Sequence, residues 1–168
     1  MKDRKLNANE IAAKRLASGA RTEKELIDFL CKKGIDREEA EKVAKEFRED
    51  GYIDDLRYAK DYIAYGEGKG WGKGRIAREL SKKGVDSETV KSAYEEREDT
   101  VGLLEGECLS EEDRALQVIE KMMRGSSVGA SNKLDEKTRS RIARRLFSYG
   151  YKTSDIYGAI KRFESDMN

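Results

Sequence analysis

The stretch Lys32-Lys-Gly-Ile-Asp36 returns fifty residues later as Lys82-Lys-Gly-Val-Asp86. In each copy, an apolar helical segment runs into two lysines, ends at a glycine and restarts from an aspartate. Glycine adopts the left-handed conformation that ends a helix, and aspartate accepts hydrogen bonds from the free amides of the next helix. Self-similarity at a fixed period is typical of helical repeat proteins, so the two copies predict a tandem array of short helices.

A weaker third copy is centred on Tyr149-Gly150, 66 residues after the glycine of the second copy. The helix before it is predicted to pack through Ile142, Leu146 and Phe147, and the helix after it begins at Thr153 or Ser154. No stretch alternates β-branched residues in the way a strand would. The predicted fold is therefore all-α, with about nine helices in three tandem three-helix repeats.

The predicted boundaries place repeat 1 at residues 1–53, repeat 2 at 54–98 and repeat 3 at 110–168. Residues 99–109, which contain two glycines, are predicted to be a linker. Capping signals mark several helix starts, because a side-chain oxygen there can accept bonds from unpaired amides. They are the capping box Thr22-Glu-Lys-Glu25, the run Ser110-Glu-Glu-Asp113, and the aspartates Asp36, Asp54, Asp55 and Asp86.

The composition excludes several classes of function. Of the 168 residues, 41% are charged, and neither histidine nor proline occurs. Without histidine the chain lacks the usual general base and the commonest metal ligand, so we expect no catalytic site, metal or cofactor. Cys31 and Cys108 are isolated and are predicted to be reduced. The sequence has no transmembrane run and no secretory signal, which predicts a cytoplasmic protein without membrane attachment.

Aromatic and glycine-rich motifs have structural as well as functional interpretations. The run Gly66–Gly74 lacks the Lys-Ser/Thr pair of a phosphate-binding loop, and we interpret it as a hinge between helices. Tyr58, Tyr62 and Tyr65 share one helix face; a core stripe is favoured over a base-stacking platform. Trp71 lies between glycines, where an exposed interaction anchor and a buried core residue are both open interpretations.

Basic residues are concentrated in two segments, although the net charge of the whole chain is only +1. A charge run is usually a solvated face, but these two would form basic ridges on corresponding helices of repeats 2 and 3. Such ridges suit phosphates or an acidic protein groove. The candidate partner- or DNA-binding residues are Lys69, Trp71, Lys73, Arg75, Arg78, Lys82, Lys83, Arg141, Arg144 and Arg145.

Taken in order, motifs of the first two repeats resemble the RecX family of bacterial recombinase regulators. The resemblance covers residues 12–94, and repeat 3 fits by pattern only. Its motifs are Thr22-Glu-Lys-Glu-Leu26, Leu30-Cys-Lys-Lys-Gly34, Gly51-Tyr-Ile-Asp-Asp55, Tyr58-Ala59, Lys69-Gly70, Arg75-Ile76 and Glu79-Leu-Ser-Lys-Lys-Gly-Val85.

This resemblance implies a non-enzymatic modulator of the RecA recombinase with an elongated, curved shape. Members of the family bind RecA, lie in the groove of the RecA–DNA filament and usually suppress ATP hydrolysis and strand exchange. The implied partners are RecA and its DNA filament, with weak direct DNA binding as a further property. We expect the chain to be a monomer. The alternative is an autonomous DNA-binding protein that uses its basic helix faces.

Overall fold

A computed structural model of the chain describes residues 7–103, 109–124 and 134–166. In these ranges it has nine α-helices and no strand, as the repeat pattern predicts. The helices are α1 (Ala8–Ala17), α2 (Glu23–Lys32), α3 (Arg37–Glu49), α4 (Asp55–Gly68), α5 (Lys73–Lys82), α6 (Ser87–Leu103), α7 (Glu111–Met123), α8 (Glu136–Ser148) and α9 (Thr153–Asp166).

The three glycines of the repeat end their helices in the same way. Gly34, Gly84 and Gly150 have φ angles of 86°, 90° and 88°, in the left-handed region that glycine tolerates without a steric penalty. In each copy the following residue donates its N–H to a carbonyl five positions back, at 3.1 to 3.2 Å. This closes the helix end as a Schellman motif does. The local geometry therefore confirms the weak third copy.

The helix starts confirm most of the predicted caps. Thr22 and Ser110 each form a complete capping box, and Asp36 and Asp86 accept backbone N–H groups of the helices that follow them. Asp54 caps α4 by accepting from Arg57 N–H at 2.9 Å.

The aspartate that follows Asp54 has a different role from the predicted one. Asp55 Oδ1 accepts the N–H of Glu23 at 3.1 Å, and so it caps α2, although it is the first residue of α4. Burial raises the pKa of this carboxyl above its ordinary value.

Two compact units can be distinguished. The N-terminal unit comprises the described parts of residues 1–61 and 80–95, and the C-terminal unit comprises the described parts of 62–79 and 96–168. In the N-terminal unit, α1, α2 and α3 pack around a core that includes Leu26 and Leu30. In the C-terminal unit, α7, α8 and α9 pack around Ile119, Ile142 and Leu146. The repeat boundaries at 53, 98 and 109 stay a prediction from the sequence.

Two helices extend beyond their predicted ends. α6 continues to Leu103 and includes the first part of the predicted linker, because no glycine or proline interrupts residues 85–101. α4 continues to Gly68, so the predicted hinge begins inside a helix. A Cβ on Gly66 would lie 2.7 Å from Ile76 Cγ1, which means that this glycine permits close helix packing. Cys108 and the predicted loop 125–131 lie outside the described residues.

Two predicted core aromatics are instead exposed. Phe147 is 69% exposed and Tyr65 is 54% exposed. Leu146 and Phe147 are neighbours in α8 and point about 100° apart, so the two side chains have different surroundings. Leu146 is fully buried. Within the described ranges, no helix combines the length and apolar character needed to cross a bilayer.

Candidate partner-binding surface

The C-terminal unit brings together cationic and aromatic side chains from three parts of the chain. We call this group the cation–aromatic cluster; it consists of Tyr65, Lys69, Trp71, Arg75, Arg145 and Tyr149. Tyr65 lies in α4, Arg75 in α5 and Arg145 in α8, while Tyr149 follows directly after α8. Lys69 and Trp71 lie in the connection between α4 and α5. Residues from both predicted basic segments thus meet in this group.

The Arg75 guanidinium lies against two rings. Its central carbon is 4.1 Å from the centre of the Trp71 ring and 5.9 Å from that of Tyr149. Arg145 packs on Tyr149 from the other basic segment, at 4.5 Å, and also donates to the Tyr149 hydroxyl. A cation over an aromatic face is attracted by the negative charge of the ring face. The rings therefore fix both arginines without neutralising their charge.

A second pair of contacts extends the cluster. Lys69 Nζ lies 5.5 Å from the centre of the Tyr65 ring. Tyr65 in turn meets Trp71 edge to face, with ring centres 5.7 Å apart. Trp71 is half-buried, so neither simple interpretation of this residue is complete. The indole packs against the rings of Tyr62 and Tyr65, and the Arg75 guanidinium lies over it.

Backbone contacts hold the connection between α4 and α5 against the corner between α8 and α9. Gly72 N–H donates to the Tyr149 carbonyl at 2.9 Å, and the Tyr151 hydroxyl donates to the Gly70 carbonyl at 3.0 Å. Burial raises the pKa of Tyr151, which keeps the hydroxyl protonated and able to donate. A Cβ on Gly72 would lie 3.0 Å from the backbone of Gly150. The glycines therefore allow two backbones to touch.

The acidic residues at the start of α7 form ion pairs with Arg114 and Arg162, which are not among the candidate binding residues. Glu111 accepts the backbone N–H of Lys73 at 2.9 Å and pairs with Arg114. Glu112 and Asp113 both pair with Arg162 on α9. The described acidic side chains of this segment thus stabilise the C-terminal unit.

The remaining predicted site residues differ in their surroundings. Arg78, Arg141 and Arg144 are exposed, and no described carboxylate forms an ion pair with them. The Arg144 Nε group bonds only the Ser140 carbonyl of its own helix, at 3.2 Å. These three side chains keep their guanidinium groups available to an anionic partner.

Lys82 and Lys83 belong to the N-terminal unit. Lys83 Nζ pairs with Glu25 at 2.6 Å and lies over the Tyr58 ring. Burial lowers the pKa of Lys83, but the hydrogen bonds of its ammonium group with Glu25 and Tyr58 have the larger effect. Together they raise the pKa of Lys83 to about 12. The Lys82 carbonyl accepts a bond from Lys24. Lys83 therefore joins parts of the N-terminal unit.

Sequence reasoning did not identify Tyr149 and Tyr65 as ring partners of the cations. Tyr149 stood out only as the residue before a helix-ending glycine. The sole available signal was its position beside the basic segment of α8. In chemical terms the cluster can bind anions, since a stacked guanidinium still presents N–H groups at its edge to a carboxylate or phosphate. In the described residues, no group of three or more acidic or cysteine side chains could hold a metal ion.

Comparisons with known proteins agree on one family. Residues 54–93 match the family model of the RecX second three-helix domain. The regulatory protein RecX of Vibrio vulnificus is 43% identical over 72 residues, which are 43% of this chain and 47% of that protein. Its counterpart from Mycolicibacterium smegmatis is 29% identical over 158 residues, 94% of this chain and 79% of that protein.

A third relative matches over a shorter share of its length. The regulatory protein RecX of Lactobacillus delbrueckii subsp. bulgaricus is 36% identical over 88 residues, which are 51% of this chain but only 32% of that protein. The chain thus matches about a third of that relative.

Solved structures share the helical fold. The crystal structure of RecX from Lactobacillus salivarius superposes with a TM-score of 0.73 at 20% identity and covers 94% of this chain and 95% of that one. A second RecX crystal structure gives a TM-score of 0.70 at 22% identity, over 92% of this chain and 70% of that one. In sequence the chain is thus similar to RecX regulatory proteins, and in fold it is similar to RecX crystal structures.

Proposed function

We propose that this chain regulates the RecA recombinase by binding the RecA–DNA filament, and that it suppresses ATP hydrolysis and strand exchange. It acts as a monomer in the cytoplasm and uses no catalytic site, cofactor or metal of its own. The relatives are named regulatory proteins, which supports a role in regulation. The identity of the partner and the sign of its regulation are the proposal.

One observation carries the proposal: Arg78, Arg141 and Arg144 are exposed without an ion pair to any described carboxylate. Exposed arginines that lack an internal counter-charge can pair with the phosphates or carboxylates of a large partner. Arg75 and Arg145 add charge at positions that are already fixed by rings. Ordering these two side chains before binding lowers the entropic cost of the contact.

The test is ATP hydrolysis by RecA on single-stranded DNA, with and without the purified chain. The proposal predicts that turnover falls when the chain is added at up to equal molar ratio to RecA. A strand-exchange assay under the same conditions should show a parallel loss of product. Unchanged turnover and unchanged strand exchange would reject the proposal.

Autonomous DNA binding is the second candidate. The rings of Tyr65 and Trp71 lie beside cations, a combination that proteins use to bind single strands by stacking and charge. This candidate predicts binding to an oligonucleotide without RecA, with an affinity that falls steeply as salt rises. Equilibrium titrations at several salt concentrations separate the two candidates, because regulation of RecA alone requires no such binding.

A further inference from the structure

A cavity of about 440 Å³ lies in the N-terminal unit, beside the C-terminal ends of α1 and α2. Its lining combines apolar surface, one hydroxyl and three cations. The lining residues are Ile11, Lys14, Arg15, Ser18, Phe29 and Lys33. None of them belongs to the cation–aromatic cluster, which lies in the other unit.

Two cations of the chain itself already contact the Phe29 ring in this cavity. The Arg15 guanidinium carbon lies 4.9 Å from the centre of the Phe29 ring, and Lys33 Nζ lies 5.6 Å from it. Arg15 Nε is buried and has no hydrogen-bond partner among the described residues. Stacking on Phe29, instead of a carboxylate, therefore holds this guanidinium in place.

The three cations lack a counter-charge within the described part of the chain. No ion pair forms there to Lys14, Arg15 or Lys33, and the α2 carboxylates of Glu25 and Asp28 pair with other lysines. The two helix ends contribute a partial negative charge of about a half each. That sum, about one negative charge, is smaller than the charge of the three cations in the lining.

We propose that this cavity binds an acidic peptide segment of another protein, in which carboxylates flank an apolar side chain. The carboxylates pair with Lys14, Lys33 and the guanidinium edge of Arg15, and the apolar side chain lies against Ile11. A nucleobase is a poorer fit, since Phe29 is the single aromatic residue in the lining and two cations contact its ring. The inference does not rest on regulation of RecA.

Fluorescence anisotropy of labelled peptides tests the proposal with the full chain alone. The probes are three acidic pentapeptides, Asp-Glu-X-Glu-Asp with leucine, isoleucine or phenylalanine at X, and the matched Asn-Gln-X-Gln-Asn peptides. At low ionic strength, at least one acidic peptide should bind and its amide counterpart should not. The double variant Lys14→Glu/Lys33→Glu should weaken this binding at least about tenfold, because it replaces two attractive contacts with repulsive ones.

A matched control separates a specific site from general charge. Lys42→Glu/Arg57→Glu changes the net charge equally at two exposed positions of the same unit that form no ion pair with a described residue. It should leave peptide binding unchanged, and circular dichroism should show that both variants stay helical. Three outcomes would overturn the proposal: no acidic peptide binds, both variants lose binding equally, or an oligothymidylate binds at Lys14 and Lys33 while the peptides do not.

Discussion

The N–H of Gly72 donates a 2.9 Å hydrogen bond to the carbonyl of Tyr149. This contact joins the connection after α4 to the residue that follows α8. It also explains the position of Arg75, which lies one turn after Gly72 and contacts the rings of both Trp71 and Tyr149. The cation–aromatic cluster is thus a consequence of close backbone packing.

Substitution of Gly74 by alanine should destabilise the chain. A Cβ at this position would lie 2.7 Å from the Gly150 carbonyl oxygen, and a backbone atom cannot move aside cheaply. Overpacking should exceed the gain in helix propensity, for a net loss of about 2 kcal/mol. Urea denaturation measures the difference. Gly68→Ala is the control: nothing lies within 4 Å of its Cβ position, so equal losses in both variants would contradict the close-packing account.

Removal of the stacked arginine should affect both stability and the indole. Arg75→Ala loses the cation–π contact and the packing of the side-chain stem, which together contribute about 1–2 kcal/mol. Trp71 is the sole tryptophan, so its emission should shift in this variant. Arg78→Ala, three residues further along α5 and exposed, should stay within about 0.5 kcal/mol of the unchanged chain and keep its emission. Identical spectra for the two variants would argue against the stack.

Thr22 contributes to the N-terminal unit beyond its capping role. Its fully buried hydroxyl accepts from Glu25 N–H at 3.1 Å and donates to the Lys83 carbonyl at 2.6 Å. Thr22→Ala should therefore lower the free energy of unfolding by about 2–3 kcal/mol, since it removes a cap and a buried hydrogen bond. Thr22→Ser keeps the hydroxyl and should therefore retain most of this stability.

Ser110 offers the matched comparison, because it forms the second capping box at an exposed position. Ser110→Ala should cost about 1 kcal/mol, the usual value for a lost cap. Thermal or urea unfolding of the three variants checks the order of these effects. An equal cost at Thr22 and Ser110 would show that the bond to Lys83 contributes nothing.

Local signals predicted the helix ends well because they act within a few residues. Caps such as Thr22 and Ser110 bond amides two or three positions away, and a left-handed glycine closes the turn before it. The same reasoning placed the ends of α4 and α6 too early. Gly66 lies within α4, where a Cβ would meet Ile76, and that close approach cannot be derived from the local sequence.

The candidate surface was predictable in its charge but not in its arrangement. Exposure of Arg78, Arg141 and Arg144 follows from their helical spacing relative to buried neighbours. The pairing of Lys83 with Glu25 and the stacking of Arg75 on Tyr149 depend on packing between distant segments. Of the three apolar residues predicted to pack inward from α8, Ile142 and Leu146 are buried and Phe147 is exposed.

The carboxyl of Asp113 should have an unusually low pKa. Hydrogen bonds from Ser110, then from Arg162, lower its pKa from 3.8 to about 2. Because the folded-state pKa is the lower one, its stabilising contribution is complete above about pH 4 and is lost as pH falls toward 2. Ser110→Ala and Arg162→Met should each raise this pKa in carboxyl-carbon NMR titrations. The lowered pKa of Asp135, which Thr138 causes, should not move; a shift there would indicate a general charge effect.

The most direct measurement compares two charge-reversed variants in ATP hydrolysis by RecA on single-stranded DNA. Arg141→Glu/Arg144→Glu alters exposed arginines of α8, and Lys121→Glu/Lys161→Glu changes the net charge equally on α7 and α9. We predict that the arginine variant requires about tenfold more protein for half-maximal suppression and that the lysine variant behaves like the unchanged chain. Equal suppression by all three proteins would contradict the claim that the arginine face of α8 contacts the filament.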